Sequence, residues 1–240
     1  MSFSRTIEPE LLDAMTPDDP CAIRARRDLQ RVNSIMGHTI IWKLILREII
    51  SSKLSPVSIV ELGTGDGTLL LRLAHTLAKA LPHVRLQLVD RHPAVRHETL
   101  ESFAALGWQT EVVTADVMDW ISTLSQTDLI VTNLFLHHFN DTQLTELFRH
   151  IAGKTNIFAA CEPRRSAFAL LGSHLLGMIG CSPVTRYDAV VSVRAGFYGK
   201  EISTLWPKKN DWNLHEARAG LFSHIFIAQH PSTSEQAAHS

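Results

Sequence analysis

Residues 57–68 read Val-Ser-Ile-Val-Glu-Leu-Gly-Thr-Gly-Asp-Gly-Thr, and this stretch decides the fold. Val57 to Leu62 is a short β-rich run, and glycines follow at 63, 65 and 67. Thr68 then opens a leucine-rich segment of helical length, residues 68–81. Glycine adopts positive φ at little cost and lets a ligand approach the backbone, so the segment reads as a tight strand-to-helix turn around a bound molecule. A dinucleotide fingerprint needs a further glycine at position 68, which is Thr, and a P-loop needs a lysine that is absent here.

Outward from this loop the chain alternates. Strands are expected at 57–62, 84–89, 111–114, 129–132 and 156–161, with helices at 68–81, 94–106, 117–124, 141–151 and 166–179. Five strand–helix alternations predict an α/β fold: a doubly wound, mostly parallel sheet with right-handed crossovers. A short helix at 200–205 and an antiparallel pair at 212–217 and 222–229 close the sheet. Ahead of it, Pro9, Pro17 and Pro20 mark residues 1–20 as an irregular arm. Asp18-Asp19-Pro20 starts a helical region, 21–51, broken near Gly37. The expected division is an N-terminal arm and helical cap (1–56), a ligand-binding domain (57–230) and a disordered tail (231–240). Such a sheet binds its ligand at the carboxyl ends of the strands, beside the switch point.

Composition narrows the classes. Apolar residues make up 45% and charged residues 20%, and the net charge of −1 offers no broad basic field for nucleic acid. Cys21, Cys161 and Cys181 form no CxxC pair, so neither a disulfide framework nor a zinc site is expected. The histidines show no metal-ligand spacing; His92 and His97 lie five apart, off one helical face. The apolar stretches 39–50 and 167–184 are interrupted by Lys43, Arg47, Glu48 and His174, so no transmembrane segment is expected. With no signal-peptide core at the start, the expected location is the cytoplasm. Contact of Arg24, Arg26, Arg27 and Arg31 with a membrane surface stays open beside their reading as a solvated face.

Charge separates the remaining readings of the loop. Glu61 and Asp66 flank it, and carboxylates repel a pyrophosphate but suit a cofactor carrying an ammonium and a sulfonium. Asp90 ends the second strand, where a carboxylate can accept from both ribose hydroxyls. Asp116 follows the third, where it can accept from an adenine amino group while Val117 packs on the ring. With these landmarks the chain resembles the class I S-adenosylmethionine-dependent methyltransferases over about 57–229. The resemblance implies a Rossmann-like fold, S-adenosyl-L-methionine as cofactor, and Glu61, Gly63, Thr64, Gly65, Asp90, Arg91, Asp116, Val117 and Asn133 as its contacts.

The acceptor side is read from Asn133-Leu-Phe-Leu-His-His-Phe-Asn-Asp141. Amine methylases of nucleic acid carry Asn/Asp-Pro-Pro-aromatic here, and both prolines are missing. Leu136 to Asp141 instead resembles the phenolic O-methyltransferases and the quinone-type C-methyltransferases. That resemblance implies His137 as general base, with His138 beside it and Glu162, at the end of the fifth strand, orienting it. A histidine near pKa 6.5 can deprotonate a phenol, activating oxygen or ring carbon alike. The same histidines also read as a helix cap or core residues. Arg164 and Arg165 follow Glu162 and can meet a substrate carboxylate. The insertion 182–199 lies where the family hangs substrate loops, which makes Tyr187, Arg194 and Phe197 acceptor-pocket candidates beside Arg164. The leading expectation is methyl transfer to oxygen or carbon of a small hydrophobic, aromatic or quinone-like metabolite of secondary metabolism, by a monomer or homodimer. RNA or protein methylation and a non-catalytic cofactor-binding module remain the alternatives.

Overall fold

The computed structural model describes residues 3–16, 18–51 and 56–231. All but the first residue of the expected tail, 231–240, therefore lies outside the described residues. Among the described residues, seven strands form one sheet: β1 (Ser58–Leu62), β2 (Arg85–Asp90), β3 (Gln109–Thr114), β4 (Thr127–Asn133), β5 (Thr155–Pro163), β6 (Asn213–Ala219) and β7 (Ser223–Gln229). The order is β3-β2-β1-β4-β5-β7-β6, and β7 alone runs against the others. The winding reverses between β1 and β4, so the loops after these two strands face each other across the switch point.

The strands owe their central position to apolar residues on both faces. Ile59, Leu86, Leu88, Leu129 and Ile157 pack under α2 (His38–Ser51), α3 (Thr68–Leu77) and α4 (His97–Ala105), with Trp42, Leu73 and Phe103. Val60, Leu62, Ile130 and Phe158 form the opposite core with Leu144, Phe148 and Ile151 of α6 (Asp141–Ala152) and with Trp206, Trp212 and Phe226. Adjacent residues such as Ile59 and Val60 thus point to different cores, the pattern of a sheet covered on both sides.

The N-terminal helical region divides as expected. Asp19 caps α1 (Pro20–Ile35) through the Cys21 amide, and Gly37, at φ +73°, breaks the chain before α2. Four expected helices are shorter than their sequence pattern; α3 stops at Leu77 and α4 spans only His97–Ala105. The helix expected at 117–124 ends at Trp120, as α5 (Val117–Trp120), because the Ser122 and Thr123 hydroxyls bond back to the Asp119 and Trp120 carbonyls. The helix expected at 166–179 splits into α7 (Ala167–His174) and a 3₁₀ turn (Leu175–Ile179), within a stretch that carries Gly172 and Gly177 and ends at Gly180, φ +79°. The insertion 182–199, expected as a substrate loop, is instead mostly a helix, α8 (Pro183–Ala195). Ser182 accepts from the Thr185 amide as N-cap, and Pro183 occupies the first turn, where its missing N–H costs nothing. The short helix α9 (Glu201–Leu205) follows.

Candidate active site

At the end of β1, Gly63, Gly65 and Gly67 have φ of +72°, +56° and +68°, which carries the backbone round into α3. The Gly63 and Thr64 amides donate to the Val89 carbonyl, tying the loop to β2. Asp66 accepts from the amide and hydroxyl of Thr68. Asp90, ending β2, holds the Gly65 amide on one oxygen and the His92 amide on the other, both at 2.8 Å. Asp116, two residues beyond β3, caps α5 through the Met118 amide and pairs with Arg91. Burial opposes the ionised form of Asp116, but Arg91 and the Met118 amide outweigh it and lower its pKa. Val117 is buried beside it in the second core.

Glu61 is the electrostatically exposed member of this group. Its side chain is buried and accepts from the Thr64 hydroxyl at 2.7 Å. Burial pushes its pKa up to about 8, the Thr64 bond opposes this, and Asp66 and Asp90 add repulsion. Among the described residues no counter-charge pairs with that carboxylate, and a cationic ligand would supply one. A Cβ at Gly65 would meet nothing within 4 Å, so the backbone there borders open space. This donor set fits an ammonium- and sulfonium-bearing cofactor. Gln30 of α1 donates to Asp66, so the N-terminal cap reaches the loop.

Across the switch point β4 ends at Asn133, whose side chain accepts from Trp42 Nε1 at 2.9 Å. Leu134 then takes φ +54°, an uncommon conformation for a residue with a side chain, and turns the chain into a 3₁₀ segment, Leu136–His138. Glu162, fully buried at the end of β5, accepts from the amides of Phe135, Leu136 and His137 and from His137 Nδ1, the last at 2.8 Å. His137 is 3% exposed, and its Nε2 lies 3.2 Å from Glu10 Oε1. Burial lowers its proton affinity, but hydrogen bonds and charge from Glu10 and Glu162 outweigh this and raise its pKa to about 9. Burial would likewise raise Glu10, yet His137 holds it at about 2. His138 lies beside this pair, 3.4 Å from Asp13; burial and the charge of His137 lower its pKa.

Glu10 was not among the expected site residues. It arrives on the N-terminal arm, which runs over α8: Asp188 accepts from the Leu11 and Leu12 amides, and Ser192 donates to Glu10. Arg5 anchors the same arm on the Ala195 and Phe139 carbonyls, on Asp141 and over the Phe197 ring. A partner 127 residues away leaves no local pattern, so no spacing signal could have found it. Glu10, His137 and His138 bring donor atoms within 4.8 Å of one another.

The other acceptor-side candidates are dispersed. Phe197 is 1% exposed and packs in the second core under Arg5. Arg194 faces Glu8 at 3.7 Å. Tyr187 lines a surface cavity of about 340 Å³ with Ser173, His174, Pro183 and Arg186. Arg164 bridges to Phe197 through the backbone, while Arg165 is buried against Glu201. Expected on one substrate loop, Tyr187 and Arg194 lie instead on α8 and Phe197 two residues beyond it, and the three meet different neighbours.

Residues 59–155 match the model of a methyltransferase domain family. No curated protein matches the sequence. Among solved structures, a plantazolicin methyltransferase in complex with a triazolic desmethyl analogue and S-adenosylhomocysteine is 14% identical, with TM-score 0.64 over 91% of this chain and 92% of that one. An O-methyltransferase family protein from Burkholderia thailandensis is 16% identical, with TM-score 0.59 over 90% of this chain and 63% of that one. A putative O-methyltransferase from Nostoc punctiforme is 12% identical, with TM-score 0.60 over 94% and 64%. These likenesses carry the fold; the family match and the carboxylate-lined glycine loop carry the cofactor. Residues 59–155 are thus a methyltransferase domain with the Rossmann-like fold of these neighbours, and its carboxylate-lined glycine loop suits S-adenosylmethionine as cofactor.

Proposed function

We propose that this enzyme methylates oxygen or carbon of a small hydrophobic, aromatic or quinone-like metabolite at the side of the switch point where His137 lies. The carrying observation is the buried Glu162–His137 pair at the ends of β5 and β4, beside the glycine loop. The cofactor supplies a methyl group on a sulfonium, an electrophile that needs alignment more than activation. Glu61, Gly63, Thr64 and Gly65 are proposed to hold its amino-acid portion, and Asp90, Arg91, Asp116, Val117 and Asn133 the remainder. Glu162 is a positioning residue that fixes the His137 ring through Nδ1. His137 acts as general base toward an acceptor hydroxyl that takes the place of Glu10 on Nε2. Arg164, Tyr187, Arg194 and Phe197 are proposed as more distant contributors to the acceptor pocket, and His138 as a wall of it. A solved relative of this fold holds a desmethyl analogue of a natural product, which supports an acceptor from secondary metabolism.

The test combines methyl-labelled cofactor, a small-molecule extract of the host and mass spectrometry of labelled products. His137→Ala is expected to lower turnover about 10²–10⁴-fold, the usual worth of a general base, while cofactor affinity stays within about twofold. Turnover near wild type removes His137 from the mechanism. A second reading follows from Glu10 on Nε2: with both ring nitrogens donating to carboxylates, His137 is a fixed cation and suits an acceptor that is already an anion.

A further inference from the structure

We propose that the space filled by Glu10 is a carboxylate subsite, where the methyl acceptor binds as a carboxylic acid and is methylated on its carboxylate oxygen. The inference rests on the second reading of His137, as a fixed cation facing an anionic acceptor, and names the substrate class of that site. Two separate elements of the body aim at one carboxylate oxygen. His137 Nε2, on the turn after β4, lies 3.2 Å from Glu10 Oε1, and the Ser192 hydroxyl, on α8, donates to the same atom. The opposite ring nitrogen of His137 is already committed to Glu162 at 2.8 Å.

The two carboxylates differ in how firmly they are held. Glu162 sits in the central strand β5 and receives three backbone amides besides the ring. Glu10 sits on an arm whose described residues, 3–16, contribute nothing to the buried apolar core. Ile7 and Leu11 remain 38% and 42% exposed. The arm is held by polar contacts: Arg5 on the Ala195 and Phe139 carbonyls, Thr6 on the Arg194 carbonyl, and Asp188 on the Leu11 and Leu12 amides. Such contacts exchange with water at modest net cost, whereas Glu162 cannot leave without breaking the sheet end. The chain's own Glu10 therefore acts as an internal stand-in for a ligand carboxylate. A ligand of the same charge restores both charge-assisted bonds, while a neutral hydroxyl must displace them without replacing the charge.

The chemistry needs no proton transfer. A carboxylate oxygen donates its lone pair to the methyl carbon as the carbon–sulfur bond breaks, and that bond's electron pair stays on sulfur. The products are a neutral methyl ester and a neutral thioether. A histidine whose two nitrogens both donate fits this step, as a partner for charge and not as a base.

The experiment compares wild type and Glu10→Ala by calorimetry, with benzoate and benzamide as probes, in protein saturated with S-adenosylhomocysteine. Glu10→Ala is expected to bind benzoate at least tenfold more tightly than wild type, to ignore benzamide, and to lose benzoate binding when Ser192→Ala or His137→Ala is added. Equal benzoate affinity in the two proteins, or equal binding of benzamide, overturns the proposal. With methyl-labelled cofactor and host extract, the transferred label should leave as methanol in mild alkali; an alkali-stable label overturns the proposal as well. Failure of either protein to bind S-adenosylhomocysteine would instead strike the donor reading, so the two failures are told apart. Retained S-adenosylhomocysteine binding by Glu10→Ala also shows that the variant is folded.

Discussion

At Gly63 two demands coincide: φ is +72°, and a Cβ would lie 2.2–2.9 Å from the Phe135 side chain. Gly63→Ala is therefore expected to cost more than the ~1–2 kcal/mol of left-handed strain and to abolish measurable cofactor binding. At Gly65 only the conformational demand exists, since a Cβ there meets nothing. Gly65→Ala should lower the denaturation midpoint by the smaller amount and spare the Phe135 packing; equal losses in the two variants would refute the distinction. Glu61 predicts a pH dependence. Its pKa of about 8 in the free protein means that a cationic cofactor must drive a proton off below that value. Cofactor affinity should rise by up to about tenfold per pH unit below pH 8 and level off above it, and Glu61→Gln should flatten the slope. The raised pKa also means that Glu61 stabilises the fold below its unfolded value and loses that contribution as pH rises through about 8. The variant should therefore gain in melting temperature relative to wild type at pH 9. These residues were legible because they fall at strand ends, where a local pattern and a carboxylate coincide. Glu10 was illegible because its role is set by a contact across 127 residues.

Among the elements, the arm carries the least predictable part of the site. His137 has its pKa raised to about 9 between Glu10 and Glu162, so the ionic contribution is complete below its unfolded value near 6.5 and is lost as pH passes 9. Amides of Leu11 and Leu12 should therefore exchange faster above pH 9 while those of β4 and β5 stay protected, as hydrogen–deuterium exchange would report. Uniform loss of protection would mean that the arm has no independent opening. Asp188→Asn keeps the carbonyl acceptor but weakens both arm bonds, and should raise Leu11 and Leu12 exchange severalfold at neutral pH. The strands and most helices were readable from period and caps, down to the break at Gly37. The exception, α8, carries a valid start in Ser182-Pro183, but its weakly amphipathic face hid it: the helix is wedged among α1, α7 and the arm and lacks a single buried stripe.

For the whole molecule, the order β3-β2-β1-β4-β5-β7-β6 places the glycine loop and the His137 turn at one switch point, with a core on each side of the sheet. That much followed from five strand–helix alternations, because a parallel sheet with short crossovers leaves few arrangements. The placement of the arm did not follow, since nothing apolar in it demands burial. A cofactor bound as proposed would meet loops rooted in β1, β2 and β3, the strands of one half of the sheet, where Gln30 of α1 donates to Asp66. Ligand that binds only the folded state stabilises it in proportion to occupancy, by about 2.7 kcal/mol at a concentration 100 times Kd. For a chain of this size that converts to a melting shift of roughly 5–10 °C. S-Adenosylhomocysteine should produce such a shift in wild type and in Glu10→Ala, whose substitution lies on the arm. It should produce none in Gly63→Ala. A shift that survives Gly63→Ala would place the ligand away from the loop at 63–67, and with it the methyl transfer.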